Sequence, residues 1–221
     1  MALAILHSGG FTHKDLKKLF ENEQNYSTLL GDFLQNKKTP TPWMTNERRE
    51  KILEKLQKVD IQKTEKIIKE KDIQIITIES EQYPEKLRTI KQAPYLLYIR
   101  WILREERKML GVVGSRRSTS YGKKILEKII PELIQAGCGI VSGWAHGIDA
   151  LSHSITLESD GYTISVFWSG VDIFYPVENT KLFEKIIEKW WALVSIFPIE
   201  TKPEPFYFPI RNEIVAALSD G

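Results

Sequence analysis

Apolar residues in the first seventy positions recur every three or four, the spacing of amphipathic helices. Thr12 stands three residues before Asp15, and Leu16, Leu19 and Phe20 follow, an N-cap with an apolar stripe behind it. Thr45-Asn46 opens a second helical run whose apolar face is Ile52, Leu53, Leu56 and Val59, and residues 63–71 extend it as a short helix. The Lys/Thr/Pro stretch 37–42 between them reads as a loop.

From Ile73 the period shortens. Residues 73–78 and 95–99 are short β-branched or aromatic runs bounded by Tyr83-Pro84 and Ala93-Pro94, and they predict two strands. Residues 101–108 form a charged connection. Strand and helix then alternate at short intervals. Strands are predicted at 109–113, 138–141, 162–167 and 192–196, and helices at 121–136, 147–158, 178–189 and from about 209. Gly137 suits the end of the first of these helices. Short apolar strands joined by helices imply an α/β fold with a parallel sheet and crossover connections. The expected organisation is a small helical domain over 1–70 followed by a parallel α/β domain over 71–221.

Composition changes this picture little. With 221 residues, 42% hydrophobic and 27% charged, the chain matches an ordinary globular protein. A single cysteine, Cys138, excludes an internal disulfide, and there is no apolar run of membrane-spanning length or basic leader sequence. A cytoplasmic location is the expectation. Charge is more informative in its distribution than in its net value of +2. Residues 1–108 carry 21 Lys/Arg and 16 Asp/Glu, whereas residues 109–221 carry 10 and 13. An anion site in the second half must therefore rest on local geometry.

Ligands of parallel α/β sheets bind at the carboxyl ends of the strands. There the chain places Gly111-Val-Val-Gly-Ser-Arg-Arg-Ser-Thr-Ser-Tyr-Gly122. Gly114 and Ser115 suit close backbone approach to an anion at a helix N-terminus, and Arg116 can add a charge-assisted bond to a phosphate. The alternative is a tight turn with a solvated arginine. A Walker A ending is absent and the glycine spacing is not that of a dinucleotide site. Ser142-Gly143 repeats the small-residue turn one strand further on, and Gly147-Ile-Asp149 opens the next helix. Asp149 and His153 share a helix face, where they are either a metal or general-base pair or, by preference, an Asp–His hydrogen bond fixing helix to loop. Two ligands are too few for a closed metal site. Phe206 and Phe208 beside Arg211 and Asn212 suit stacking and polar contact with a single strand, or else cover the sheet edge.

Together these segments resemble the DNA-processing protein A (DprA/Smf) family. The resemblance is carried by Tyr83-Pro-Glu-Lys-Leu87, Ala93-Pro-Tyr-Leu-Leu-Tyr-Ile-Arg100, Val113-Gly-Ser-Arg116, Ser120-Tyr-Gly122, Val141-Ser-Gly143, Gly147-Ile-Asp149 with His153, Gly170-Val-Asp172 with Tyr175-Pro176, and Phe208-Pro-Ile-Arg-Asn212 with Ala217-Leu-Ser219. It implies an extended Rossmann-like fold and a non-enzymatic, cofactor-free binder of single-stranded DNA. It also implies a homodimer that loads a RecA-type recombinase during natural transformation. On this resemblance Gly114, Ser115 and Arg116 hold a phosphate with Ser142 and Gly143 beside them, Phe208, Arg211 and Asn212 line the strand's path, and Asp149 and His153 are structural. The other function class to be weighed is a Rossmann-like nucleotide sensor or hydrolase.

The chain departs from the family pattern. His146 and Glu213 stand where arginines are usual, a loss of positive charge beside the expected DNA path. Family members continue past the position of Gly221 with a further strand and helices, so the chain is expected to be a fragment or a truncated gene product. Six tryptophans accompany only 13 glycines, and the family pattern has glycine at or near Trp101, Trp144, Trp168, Trp190 and Trp191. These are loop positions where positive φ or close backbone approach is wanted. The expectation is that these codons are UGA, read as glycine by the source organism and translated here as tryptophan. Abundant lysine (22) and isoleucine (27) fit an AT-rich genome of that kind.

Overall fold

The computed structural model describes all residues except 23–24, 36–40, 102, 104–107 and 190. Among these described residues five helices come first: α1 (Ala2–Ser8), α2 (His13–Glu21), α3 (Tyr26–Leu34), α4 (Asn46–Leu56) and α5 (Ile61–Glu70). Their caps are made as residue chemistry dictates. Thr12 and Asp15 close a capping box on α2, Thr45 accepts from the Arg48 N–H at α4, and Asp60 accepts from the Lys63 N–H at α5. Helices α1 and α3 were not visible in the pattern. The first is only seven residues long with no capping side chain, although Asn25, which caps α3, was an available signal. Part of the predicted 37–42 loop and of the 101–108 connection lies outside the described residues.

Six strands follow among the described residues: β1 (Ile73–Thr77), β2 (Leu96–Arg100), β3 (Met109–Gly111), β4 (Gly139–Ser142), β5 (Thr163–Val166) and β6 (Ala192–Ser195). Helices α6 (Glu85–Arg88), α7 (Ser120–Gln135), α8 (Ile148–Glu158), α9 (Thr180–Glu188) and α10 (Tyr207–Ala217) connect or follow them. The sheet order is β1-β2-β6-β5-β4-β3. Strands β3 to β6 are parallel, with Leu110 opposite Ile140, Val141 opposite Ile164 and Ser165 opposite Leu193. The expected parallel sheet is therefore correct for four strands. β2 joins β6 antiparallel, with Ile99 opposite Val194, and β1 returns antiparallel beside it, so the sheet as a whole is mixed. The β1–β2 connection, with only the four-residue helix α6, is not a crossover helix packed along the sheet, so the second strand returns beside the first in the opposite direction and this antiparallel pair extends the sheet at the β6 edge.

β2, β4, β5 and β6 are buried at every position, as expected of strands covered on both faces. One hydrophobic core runs from Leu6, Leu16 and Phe33 in the helical segment through Leu97 and Val194 to Ile214 and Leu218. Polar ties join the same two parts. His13 Nε2 lies 3.0 Å from the Ile196 carbonyl, His7 Nδ1 3.0 Å from the Tyr98 hydroxyl, and the Tyr26 and Tyr95 hydroxyls are 2.8 Å apart. The parallel strands all point their carboxyl ends at the same edge, and that edge carries the loops of interest.

Candidate nucleic-acid interface

The chain leaves β3 through the exposed loop 112–119 and enters α7. Thr119 caps this helix by accepting from the Gly122 N–H at 3.1 Å. Ser115 does not offer its hydroxyl outward. The oxygen accepts from the Arg117 N–H at 3.1 Å and donates to the Arg117 carbonyl at 2.9 Å, closing a turn that leaves Gly114 and Arg116 exposed. The loop after β4 packs against this turn. Gly147, at φ +79°, opens α8, and the Ile148 N–H donates to the Ser115 carbonyl at 3.1 Å. A Cβ on Gly147 would meet that carbonyl and the Arg116 backbone, so only glycine permits two backbones this close.

Beneath these loops lies a buried polar layer. Ser142 is fully buried and donates to the Val112 carbonyl at 2.5 Å, tying the ends of β3 and β4 together. Arg211, 1% exposed, donates from Nη1 to the Val166 carbonyl at 3.1 Å and sits 3.6 Å from Asp149 Oδ2. The same carboxylate oxygen accepts from the Ala145 N–H at 3.4 Å. Burial lowers the Arg211 pKa to about 10 and raises that of Asp149, the partner charge opposing both shifts. His153 is fully buried, and burial lowers its pKa to about 4, leaving it neutral. Its Nε2 donates to the Gly143 carbonyl at 2.8 Å, and Nδ1 lies 2.8 Å from the Thr163 hydroxyl oxygen, which is also 2.8 Å from the Ile140 carbonyl.

These positions differ from expectation at Ser142, Gly143 and Arg211, and in the bond expected between Asp149 and His153. Ser142 and Arg211 lie below the surface and hold the loops from beneath: the Ser142 hydroxyl is spent on the Val112 carbonyl, and Arg211 Nη1 on the Val166 carbonyl beside Asp149, while Arg211 Nε and Nη2 are buried with no hydrogen-bond partner among the described residues. Gly143 is buried as well, against the Arg211 guanidinium. Asp149 and His153 do fix α8 to the preceding loop, but separately, through Ala145 and Gly143, rather than through a bond to each other.

Above this layer stands an aromatic wall. The Arg116 guanidinium is 4.8 Å from the Phe208 ring centroid and 5.4 Å from that of Trp168. Trp168 meets Phe208 edge-on at 5.9 Å and Tyr175 at 5.9 Å, and Arg211 also lies 4.8 Å from the Phe208 ring. Tyr175 and Phe206 are exposed at the rim. Phe208 belongs to α10, which begins earlier than the predicted residue 209. Asn212 is half-buried and opens onto a cavity of about 490 Å³ beside β3, lined by Gly111, Val113 and Val215. Sequence reasoning did not single out Trp168 and Tyr175 as site residues, although the turn from Ser169 to Pro176 follows a parallel strand and so marks a ligand edge. His146 Nε2 is 3.6 Å from a Glu178 carboxylate oxygen. Among the described residues, no three His, Cys, Asp or Glu side chains are grouped to hold a metal ion.

Of the positions expected to hold glycine, Trp101 has φ +66°, in the left-handed region that disfavours a bulky side chain. Trp144 is fully buried and stacked 5.4 Å from Phe167, Trp168 forms part of the wall, and Trp191 is buried before β6. Trp190 lies outside the described residues.

Residues 74–221 match the family model of DNA recombination-mediator protein A. DNA processing protein DprA of Bacillus subtilis is 38% identical over 155 residues, covering 69% of this chain and 52% of its own. The chain thus spans about half the length of that relative. DprA of Streptococcus pneumoniae is 33% identical over 219 residues, covering 98% of this chain and 74% of its own. Its X-ray structure superposes with a TM-score of 0.74 at 30% identity and the same coverage. A DprA structure from Helicobacter pylori, described for its single-stranded DNA binding mode, covers 66% of each chain with a TM-score of 0.59 at 29% identity. With the parallel strands, their glycine turns and Arg116 all inside the matched segment, the chain belongs to the DNA recombination-mediator protein A family.

Proposed function

We propose that this protein binds single-stranded DNA without sequence preference, at the loops following β3, β4 and β5, as a recombination mediator of natural transformation. The single observation that carries this reading is Arg116. Its guanidinium is exposed at the N-terminal end of α7, yet held in place by the Phe208 and Trp168 rings. A cation so fixed suits a phosphate, and aromatic faces beside it suit any base, because every base has a π-face. A binding rather than an enzymatic role is supported by His153, whose two ring nitrogens are spent on Gly143 and Thr163. Family membership supports extending the reading to a homodimer that loads a RecA-type recombinase. The single cysteine, Cys138, and the lack of a helix long and apolar enough to cross a membrane among the described residues accord with action in the cytoplasm.

The test is binding of fluorescent oligo-dT over a salt titration. Arg116→Ala is expected to weaken binding about tenfold. It should also make the dependence of log K on log salt shallower by about 0.7 for each phosphate that is no longer neutralised. Unchanged affinity and slope would remove Arg116 from the site. Saturable binding of a mononucleotide that oligo-dT fails to displace would instead indicate a nucleotide sensor.

A further inference from the structure

On the other flank of α10 a cavity of about 390 Å³ opens between α2, the β1–β2 connection and the segment after β6. Its floor is aliphatic, with Ile78, Ile196, Ile210 and Ile214. Its rim is cationic: Lys14 and Lys17 from α2 and Arg88 and Lys91 from the connection, against one carboxylate, Glu213. Arg88 is committed, since it bonds to the Ser80 carbonyl and pairs with Glu85 at 3.2 Å. Lys14 and Lys91 are exposed and have no ion-pair partner among the described residues, and Lys17 is only 4.0 Å from an exposed Glu21.

We infer that this groove takes a further stretch of the same single strand's phosphate backbone, so that the DNA path continues from the Rossmann-like loops onto the helical segment. This rests on the single-strand reading above. Three observations favour it. Phe208 and Arg211 on one side of α10 face the Arg116 site, and Ile210, Glu213 and Ile214 on the other line the groove, so one helix diameter, about 10–12 Å, separates them. The end of α10 that bridges the two is an uncapped N-terminus bearing exposed Phe206 and Ile210, where a base can rest beside a phosphate. Finally, the segment 109–221 has three more acidic than basic residues, so further phosphates must be neutralised from residues 1–108. The groove's lining has no Phe, Tyr or Trp, and its one ring, His13, is turned to the Ile196 carbonyl, which suits tracking of the backbone rather than stacking of bases.

The experiment compares oligo-dT of about six nucleotides, enough for one site, with oligo-dT of about twenty. Lys14→Gln/Lys17→Gln/Lys91→Gln is expected to leave the short oligonucleotide unaffected. On the long one it should lower affinity about tenfold and reduce the salt slope by up to about 2. Glu213→Gln, in an otherwise unaltered chain, should tighten the long oligonucleotide a few-fold and leave the short one alone. Unchanged binding of the long oligonucleotide by both variants overturns the inference while leaving the Arg116 site standing. Equal weakening of both lengths also overturns it, because the lysines then act through the general field. So does binding of an acidic Glu/Leu peptide that the triple substitution abolishes without affecting DNA. If the wild type binds neither oligonucleotide, single-strand binding itself fails and the inference falls with it.

Discussion

Gly143, Arg211 and Asp149 form a unit in which each residue is explained by the other two. A Cβ on Gly143 would overlap the Arg211 guanidinium and crowd the Asp149 carboxylate. Gly143→Ala is expected to cost about 1–3 kcal/mol, read as a lower denaturant midpoint, because the buried cation has nowhere to move. Arg211→Met leaves Asp149 buried without its counter-charge and should cost more, on the order of 3–5 kcal/mol. Adding Asp149→Asn should recover part of that loss; a double variant as unstable as the single would show that Arg211 acts mainly through the Val166 carbonyl. The tryptophans are also a question at this scale. UGA codons at 101, 144, 168, 190 and 191, with an intact mass of the natural protein lowered by one Trp-to-Gly difference at each, are the expected result. UGG codons would refute it. Glycine at 168 would leave Arg116 resting on Phe208 alone. Correcting all five gives 18 glycines and one tryptophan, a balance better suited to a fold with many loops.

At the scale of elements, the loops after β3 and β4 behave as one body, since Gly147 lies against the backbone of 115–116 and Ile148 donates to Ser115. Gly147→Ala must place a side chain at positive φ against a carbonyl. It is expected to cost more than about 1 kcal/mol and to weaken oligo-dT binding as Arg116→Ala does, although residue 147 need not touch DNA. Thr119→Ala removes only a cap and should cost about 1 kcal/mol. Normal oligo-dT affinity in Gly147→Ala would show that the two loops are not coupled. Periodicity finds α7 because Leu126, Ile130, Leu133 and Ile134 pack on one side, whereas the buried face of α8 is mostly polar, with Asp149, Ser152, His153 and Thr156. Periodicity overlooked α1, which is too short to show a period, and it started α10 late because Pro209 suggested a loop where it occupies the first turn.

The molecule as a whole shares one core between the helical segment and the sheet, and three histidines are buried in it or tied to its strands. Burial lowers His13 and His153 to about 4 and His7 well below its ordinary value, with His13 adding repulsion on His7. Each binds a proton more readily when unfolded, so the stability it contributes is complete above about pH 6.5 and is lost as the pH falls toward 4. For His153 the loss is on the order of 2–3 kcal/mol. Asp149 and Asp172, raised by burial, act in the opposite sense at the acid end of this range. A thermal midpoint that drops steeply between pH 6.5 and 4, and less so in His153→Gln, is the expected outcome. A flat profile would mean that these rings reach water.

Local order alone determined that this chain alternates short strands and helices after residue 73, where the glycine turns lie, and that Arg116 stands at a helix N-terminus. Those features depend on neighbours within a few residues, through propensity, capping and turn chemistry. Tertiary structure decided the rest. The antiparallel joining of β2 to β6 depends on residues nearly a hundred positions apart, and the burial of Arg211 beneath the site it was expected to line depends on Val166 and Asp149, also far along the chain. The same packing places Trp168 and Tyr175 beside Phe208 and brings Lys14 and Lys91 to one groove. Nothing in the local pattern distinguishes an arginine that faces solvent from one that faces a buried carboxylate. Only the packing of distant segments, which sets which groups lose water and what replaces it, makes that distinction.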